Sequence, residues 1–369
     1  MKVLVTGSDG FIGKNLCVQL NHLGLDVATY TRNNAFSDLP DALNDVDLVF
    51  HLAGENRPNN PEEYDTVNVG LTEHLCLAIE EKSDNVPIVF ASSIQAVMDN
   101  TYGISKRKAE ELLSAFSNRS GCPVYIYRLP NVFGKWSKPN YNSVVATFCY
   151  SIANNFAIHI DDKDTALELV YIDDLVRQFL KHLSPLYHAK REDVSVEPSY
   201  TITLGELAEL IYRFKESRHS LITEAVGTGL TRALYSTYLS YVSPESFCYE
   251  IKKYADERGD FVEMLKTPDS GQFSYFSARP GVTRGGHYHH TKTEKFLVIQ
   301  GKAVFRFCHI LDGHEHEIET EGGAPVVVET IPGYAHDITN IGADDLLVLL
   351  WANEIFDKEN PDTFSYLLD

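Results

Sequence analysis

The chain has 369 residues, of which 44% are hydrophobic and 23% are charged, a balance typical of a globular protein with more than one domain. The formal net charge of −20 argues against a general binder of nucleic acid or of anionic membranes, because both functions need basic surface. Six scattered cysteines without a CxxC pair, the lack of a signal-peptide pattern and the lack of an apolar run of about 20 residues lead us to expect a cytoplasmic protein without a membrane span.

Short apolar runs alternate with amphipathic helical stretches from residue 1 to about 180. The runs are "KVLVTG", "DVATYT", "DVDLVFHLAG", "VPIVFASS" and "VYIYRLPNVFG". This alternation predicts an α/β fold with a doubly wound parallel sheet of the Rossmann type. Only "RNNAFSDLPDALN" separates the second run from the third, so we expect the usual third strand of a dinucleotide-binding sheet to be missing or vestigial.

The stretch "TGSDGFIG" places Gly7, Gly10 and Gly13 between the first strand and the first helix. Glycines permit a tight turn there, and the helix N-terminus then offers free amides to a pyrophosphate. The end of the second strand reads "TYTRNN", without the acidic residue that binds the ribose of NAD. Arg32 at this position favours the 2′-phosphate of NADP; the alternative is a solvated surface arginine.

Tyr102 and Lys106 in "TYGISKRKAE" are four residues apart and share one helix face. A neighbouring ammonium favours tyrosinate, so this tyrosine is suited to exchange a proton with a carbinol or a carbonyl. Ser93, or less favourably Ser92, would donate a hydrogen bond to the reacting oxygen.

Seven motifs, "TGSDGFIG", "DLVFHLAG", "TVNVG", "FASS", "YGISK", "RLPNVFG" and "VYIDDLV", resemble those of the extended short-chain dehydrogenase/reductases over residues 1 to about 240. The resemblance implies that Tyr102 is the catalytic acid/base, that Lys106 lowers its pKa and binds the nicotinamide ribose, and that Ser93 orients the substrate. Asn131 would lie near a sugar nucleotide. The residues implied to bind the cofactor are Gly7, Gly10, Phe11, Ile12, Gly13, Arg32, Leu52, Ala53, Gly54, Tyr102, Lys106 and Leu129.

The residue pattern changes after about Pro244, where aromatic and β-branched residues alternate with Gly-rich turns. Examples are "FSYFSARPG", "KFLVIQGKAVFRF" and "APVVVETIPGYAH". The pattern predicts many short antiparallel strands, hence a sandwich or barrel. We therefore divide the chain into residues 1–243 and 244–369.

Three histidines and a glutamate in this second part have the composition of a divalent-metal site. The stretches "PGVTRGGHYHHTKTEKFLVIQG" and "IPGYAHDITN" resemble the two motifs of the cupins, whose fold is a double-stranded β-helix barrel. The resemblance implies the ligands His287, His289, Glu294 and His336 and most simply Zn²⁺. A metal-free cupin is the alternative. His290 should point away from the barrel interior, and "DGHEHEIE", with His314 and His316, is better explained as a solvated hairpin.

Two sites in one chain suggest two reactions on one substrate. The combination resembles bifunctional enzymes of bacterial capsular polysaccharide synthesis. It implies a UDP-linked 4-keto-6-deoxy-N-acetylhexosamine, C3 epimerisation by the cupin, and NADPH-dependent C4 reduction to UDP-N-acetyl-L-talosamine. Reductases of this type commonly pair through helices and cupins through sheet edges, so we expect a homodimer. The alternatives are a monofunctional reductase with a structural, dimerising cupin, a non-catalytic NADP sensor, and an iron cupin oxygenase fused to a reductase.

Overall fold

The computed structural model describes residues 1–58, 60–82, 85–184, 195–256, 259–262, 265, 267, 271–354 and 359–368. The chain forms two compact units. The first comprises Met1–Phe133 with Leu167–Thr201, and the second comprises Gly134–Ala166 with Ile202–Asp369. Segments 134–166 and 202–243 thus belong to the same unit as the C-terminal strands, and the domain boundary at 243/244 stays a prediction.

The helices and strands are numbered in chain order. The helices are α1 (Phe11–His22), α2 (Leu39–Ala42), α3 (Leu71–Lys82), α4 (Thr101–Ser120), α5 (Val144–Ala153), α6 (Ile172–Leu180), α7 (Leu204–Ser220) and α8 (Gly229–Leu239). The strands are β1 (Lys2–Thr6), β2 (Asp26–Tyr30), β3 (Leu48–His51), β4 (Ile88–Ser93), β5 (Val124–Leu129), β6 (Asn131–Phe133), β7 (Ala166–Tyr171), β8 (Ser199–Thr203), β9 (Cys248–Glu250), β10 (Lys253–Asp256), β11 (Gly259–Val262), β12 (Gln272–Ala278), β13 (Thr283–Tyr288), β14 (Glu294–Gln300), β15 (Lys302–His309), β16 (Glu315–Glu321), β17 (Val326–Glu329), β18 (Tyr334–Asn340), β19 (Leu346–Ala352) and β20 (Phe364–Ser365).

The first unit is built on a five-stranded parallel sheet in the order β2-β1-β3-β4-β5. β3 and β4 are buried along their whole length, which explains why their sequences are continuous apolar runs rather than alternating ones. Leu75 and Ile79 of α3 pack with Leu113 and Phe116 of α4 in the core that covers one face. The predicted Rossmann-type sheet is confirmed.

β2 forms an edge of this sheet. In the fully described stretch between β2 and β3 the chain makes only a 3₁₀ turn at Phe36–Asp38 and the short α2. The expected absence of a further strand in this linker is therefore confirmed. A small second sheet in the order β6-β7-β8 begins two residues after β5, and β6 and β7 pair in parallel.

The second unit contains two five-stranded sheets in the orders β12-β19-β14-β17-β9 and β16-β15-β18-β13-β20. Their strand pairs are antiparallel. Phe296 of one sheet and Phe305 of the other bring their ring centroids to 5.5 Å, and the ring of His336 lies 6.4 Å from that of Phe296. The expectation of a β-rich C-terminal region is confirmed.

Helices α7 and α8 are bonded to these strands. The Arg218 guanidinium of α7 lies 2.5 Å from the carboxylate of Glu329, which also pairs with the buried Lys295 of β14. Ser236 of α8 donates a hydrogen bond of 2.8 Å to the carbonyl of Thr291. Residues 204–239 are thus joined to the β-rich region by buried polar bonds.

The cysteines make no disulfide among the described residues. Burial raises the pKa of Cys17 to about 11 and that of Cys76 to about 12, so neither thiol is activated as a nucleophile. No helix in the described part of the chain combines the length and the apolar character needed to cross a bilayer.

Candidate active site and metal centre

The glycine loop joins β1 to α1 in a very tight turn. The N–H of Gly7 donates to the carbonyl of Tyr30 at 2.7 Å, and Gly10 is the N-cap of α1. A Cβ at Gly13 would lie 2.1 Å from the carbonyl oxygen of Gly7, so only glycine fits there. The first turn of α1, with Phe11 and Ile12, presents its backbone N–H groups at this end of the sheet, as a pyrophosphate site requires.

Arg32 lies two residues beyond β2. It sits in a turn that is closed by a 2.9 Å hydrogen bond from the N–H of Thr31 to the side chain of Asn34. The Arg32 side chain is 79% exposed, and its Nη2 lies 3.6 Å from Oε2 of Glu55, which is 11% exposed. Glu55 was not predicted from the sequence, because nothing in the local pattern indicates that the loop after β3 reaches the end of β2.

Residues 52–54 follow β3 and are fixed by a chain of buried hydrogen bonds. The N–H groups of residues 52 and 53 donate to Oγ1 of Thr6, both at 3.2 Å. The same hydroxyl pairs with Nδ1 of His51 at 2.8 Å, and Nε2 of His51 pairs with Thr72 at 2.9 Å. Burial, with a smaller contribution from Lys106, lowers the pKa of His51 to about 3, so a neutral imidazole bridges the two hydroxyls.

Tyr102 and Lys106 lie in the first turns of α4, whose N-cap is Asn100. Lys106 is buried, and its Nζ donates to the carbonyl of Ala91 at 2.9 Å above the ring of Phe90. Burial lowers the pKa of Lys106 to about 8, although nearby Glu110 acts in the opposite direction. Its ammonium is therefore held in an apolar setting one helical turn from the tyrosine.

Two serines end β4, and the structure distinguishes them. Burial raises the pKa of Tyr102, and a side-chain hydrogen bond with Ser93 partly offsets this rise. Ser92 instead donates to the carboxylate of Glu110 at 2.5 Å, and Glu110 also pairs with Arg128. The geometry therefore favours Ser93 over Ser92 as the partner of the tyrosine.

Gly54 places the segment of residues 52–54 next to Lys106. A Cβ at Gly54 would lie 3.1 Å from Nζ of Lys106 and 3.2 Å from Oδ1 of Asn68. The structure thus brings residues 52–54, Lys106, Tyr102 and Ser93 into one continuous site. Leu129 ends β5 in register with Ser93.

Asn131 begins β6 in the neighbouring small sheet. Its side-chain amide is exposed and donates to the carbonyl of Glu168 at 3.3 Å. No contact described for this side chain joins it to Ser93 or Tyr102, so its role near a sugar nucleotide stays a prediction.

Asn68 is a buried residue of this site that residue-level reasoning missed. It lies in the π-helical turn Tyr64–Gly70 that runs directly into α3. Its side chain accepts from the N–H of Glu55 at 2.8 Å and donates to the carbonyl of Glu55 and to Ser105, both at 2.9 Å. Asn68 is part of the motif "TVNVG", but its hydrogen bonds are made with Glu55, in a loop 13 residues away.

The predicted metal ligands converge in the second unit. His287, His289, Glu294 and His336 each offer one ligand atom, and these four atoms lie within 4.8 Å of one another. Oε2 of Glu294 is 3.2 Å from Nε2 of His289 and 3.5 Å from Nε2 of His336. The ligands come from β13 and the loop after it, β14 and β18, so they join strands of both sheets.

The surroundings of the cluster fit a bound divalent ion. Nδ1 of His289 pairs with the carbonyl of Asp362 at 2.6 Å, which leaves Nε2 for a metal. Burial lowers the pKa of His287 to about 3 and also lowers that of His336. Burial alone would raise the pKa of Glu294, but hydrogen bonds with His289 and His336 hold it well below its usual value. Neutral imidazoles and an ionised carboxylate are the forms that bind metals.

The other histidines of this region lie outside the cluster. The ring of His290 packs against Tyr288 and Phe364, with centroids at 5.5 and 4.8 Å. His314 is exposed in the turn before β16. Within the described part of the chain, neither His290, His314 nor His316 belongs to a group of metal-binding side chains.

Two family models match the chain. Residues 3–195 match the NAD dependent epimerase/dehydratase family, and residues 254–364 match the polysaccharide biosynthesis C-terminal domain. The first match covers the parallel sheet with its glycine loop and the Ser93–Tyr102–Lys106 group. The second covers the strands that carry His287, Glu294 and His336.

Two of the similar proteins extend over nearly the whole chain. A UDP-2-acetamido-2,6-beta-L-arabino-hexul-4-ose reductase of Pseudomonas aeruginosa is 56% identical, covering 99% of this chain and 98% of its own length. The crystal structure of the capsular polysaccharide assembling protein CapF from Staphylococcus aureus covers both chains fully, with 40% identity and a TM-score of 0.69. A UDP-glucuronic acid 4-epimerase of Bacillus cereus, solved with NAD, shares the fold over 58% of this chain at 18% identity and a TM-score of 0.52. The chain therefore belongs to the NAD dependent epimerase/dehydratase family.

Proposed function

We propose that this chain reduces the C4 ketone of a UDP-2-acetamido-2,6-dideoxy-4-hexulose with NADPH, as a step in capsular polysaccharide precursor synthesis. The observation that carries the proposal is the arrangement on α4, where the buried Lys106 ammonium lies one helical turn from Tyr102 and donates to the carbonyl of Ala91. It is supported by the name of the Pseudomonas relative, a reductase of such a 4-keto sugar, which is similar along nearly the whole chain.

Each group has a distinct task in the proposed reduction. NADPH supplies the hydride to C4 of the sugar when it is bound. Tyr102 holds its proton at neutral pH, because burial raises its pKa, and gives that proton to the developing C4 alkoxide. Ser93 donates a hydrogen bond to the same oxygen, and the Lys106 ammonium stabilises the tyrosinate that remains.

We further propose that the second unit carries a cupin-type zinc site that epimerises C3 of the same sugar before reduction, so that the product is the 6-deoxy form of UDP-N-acetyl-L-talosamine. The specific observation is the set of three imidazoles and one carboxylate whose ligand atoms lie within 4.8 Å of one another. A divalent ion in this cluster would act as a Lewis acid on the C4 carbonyl and so acidify the proton at C3. His289 is oriented for this ligation by the carbonyl of Asp362.

The competing proposal is a monofunctional reductase whose metal cluster only stabilises the second unit or a homodimer. Burial of the ligands and their origin on strands of both sheets suit a structural ion as well as a catalytic one. The two proposals differ in one observable, the exchange of the C3 proton with solvent in the absence of NADPH.

The experiment is hydrogen exchange at C3 in D₂O without NADPH, followed by NMR on the UDP-linked 4-keto-6-deoxy-N-acetyl sugar. We expect deuterium at C3 with the wild type, with Tyr102→Phe and with His314→Ala, a matched histidine control outside the cluster. His336→Ala should lose the exchange. Absence of exchange in every protein would contradict the epimerase and leave the monofunctional reductase.

Oxidation of NADPH with a C3-epimerised substrate tests the reductase separately. Tyr102→Phe should slow it by about 10²–10⁴-fold, since it removes the proton donor. His336→Ala should retain it. A Tyr102→Phe variant of undiminished rate would contradict the assignment of this site.

A further inference from the structure

Arg32 and Glu55 face each other at the carboxyl end of β1. The sheet order is β2-β1-β3, so the glycine loop after β1 lies between the segments that follow β2 and β3. Arg32 belongs to the first of these segments and Glu55 to the second, yet their charged groups are 3.6 Å apart. The pair therefore reaches across the end of the strand that carries the dinucleotide-binding loop.

Glu55 and Arg32 differ in how firmly their side chains are held. One carboxylate oxygen of Glu55 accepts from the N–H groups of Asn56 and Arg57, at 3.1 and 3.2 Å, and the other oxygen faces Arg32. The backbone of Glu55 is held on both sides by the side chain of Asn68. Arg32, by contrast, has a side chain that is 79% exposed. The Glu55 carboxylate is thus held in place by backbone hydrogen bonds, whereas the exposed Arg32 guanidinium can turn towards a ligand.

These charges have opposite effects on the two nicotinamide dinucleotides. A carboxylate near the adenosine ribose accepts from the 2′-hydroxyl of NADH but repels the 2′-phosphate of NADPH. An arginine there attracts the 2′-phosphate. In most NAD-binding sheets the acidic residue ends the second strand, whereas here it comes from the loop after β3.

We propose that Glu55 is a second determinant of dinucleotide choice, acting against Arg32. NADPH must draw Arg32 away from Glu55 and place its 2′-phosphate near a fixed carboxylate, so the preference for NADPH is weaker than Arg32 alone would give. NADH finds an acceptor for its ribose and leaves the ion pair in place. The chain therefore uses both dinucleotides. This inference rests on the proposed use of NADPH at the same site.

The test compares dissociation constants of NADPH and NADH, measured by nicotinamide fluorescence without sugar. We expect Glu55→Gln to bind NADPH about fivefold more tightly and NADH about fivefold more weakly than the wild type. Arg32→Gln should weaken the binding of NADPH about tenfold and leave the dissociation constant of NADH within twofold of the wild-type value. Glu81→Gln removes the same charge from an exposed position of α3 and should leave both constants within about twofold.

The outcomes separate the possible failures. An unchanged ratio of the two constants in Glu55→Gln would overturn the inference and leave a surface ion pair. An equal loss of affinity for both dinucleotides would also overturn it, because Glu55 would then only stabilise the loop after β3. Failure of the wild type to bind either dinucleotide would overturn the proposed function itself.

Discussion

Lys106 carries a charge that the fold disfavours. Burial lowers its pKa from 10.5 to about 8, so between these pH values the unfolded chain binds more protons than the native one. Stability contributed by this group should therefore rise as pH increases from 8 to 10.5. Below pH 8 the native state carries the full penalty of a buried ammonium, about 3 kcal/mol.

Lys106→Met should thus abolish reduction while raising stability at pH 7.5. The gain should shrink by pH 10, where the wild-type lysine is neutral in the native state. Urea unfolding followed by circular dichroism at both pH values measures this. Lys108→Met is the matched control, since that exposed lysine lies in the same helix and pairs with Asp65. An equal loss of stability at both pH values would contradict the argument.

Sequence reasoning at this scale succeeds for local spacing and stops at contacts between loops. The four-residue spacing of Tyr102 and Lys106 placed both on one helix face, as the structure has them. The sequence favours Ser93 over Ser92, but it does not show the bond that occupies Ser92, because the partner Glu110 lies 18 residues away. Glu55 was missed because its partner Arg32 belongs to a different strand connection.

The helical element from Tyr64 to Lys82 supports residues 52 and 53 through the Thr6–His51–Thr72 hydrogen bonds. Thr72→Val would leave a buried nitrogen of His51 without its partner, which should cost about 1–3 kcal/mol of stability. Dinucleotide binding should weaken as residues 52 and 53 lose their support. Thermal unfolding and NADPH titration measure the two effects.

Thr66→Val is the matched control for this prediction. Thr66 lies in the same helical element but is exposed, with its hydroxyl on the carbonyl of Glu62. It should leave stability and dinucleotide affinity nearly unchanged. Equal effects of the two substitutions would mean that the buried bonds have no special role.

Most strands and helices were predictable from the sequence pattern, whereas local departures from regular helix geometry were not. The alternation of apolar runs and helices indicated the parallel sheet, because inner strands such as β3 and β4 are buried on both faces. The helical segment that leads into α3 begins with the π-helical turn Tyr64–Gly70, which apolar periodicity does not distinguish from an ordinary helix. The side chain of Asn68 in this turn is tied to Glu55, a contact that helical periodicity does not contain.

On the scale of the whole molecule, the metal cluster should behave as a link between the two sheets of the second unit. Chelation should lower the unfolding temperature of this unit by about 5–10 °C, the loss expected when a ligand present at roughly 100 times its Kd is removed. Both tryptophans, Trp136 and Trp351, lie in this unit, so their fluorescence reports its unfolding selectively.

His336→Ala should lower the unfolding temperature and make it insensitive to the chelator. His314→Ala should respond to the chelator as the wild type does, because His314 lies outside the cluster. Metal analysis of the purified proteins completes the comparison. A wild type without bound metal and without a response to chelation would contradict a metal site.

The joining of α7 and α8 to the strands constrains how genes for such proteins can recombine. A chimera with its crossover at 243/244 would combine the Arg218 of one parent with the Glu329 and Lys295 of another, and the Ser236 of one with the Thr291 backbone of another. Exchange between distant parents at this crossover should therefore give poorly folded products. Exchange that takes both segments of the second unit, residues 134–166 and 202–369, from one parent should be tolerated more often, because it keeps these bonds and the helix packing within one sequence.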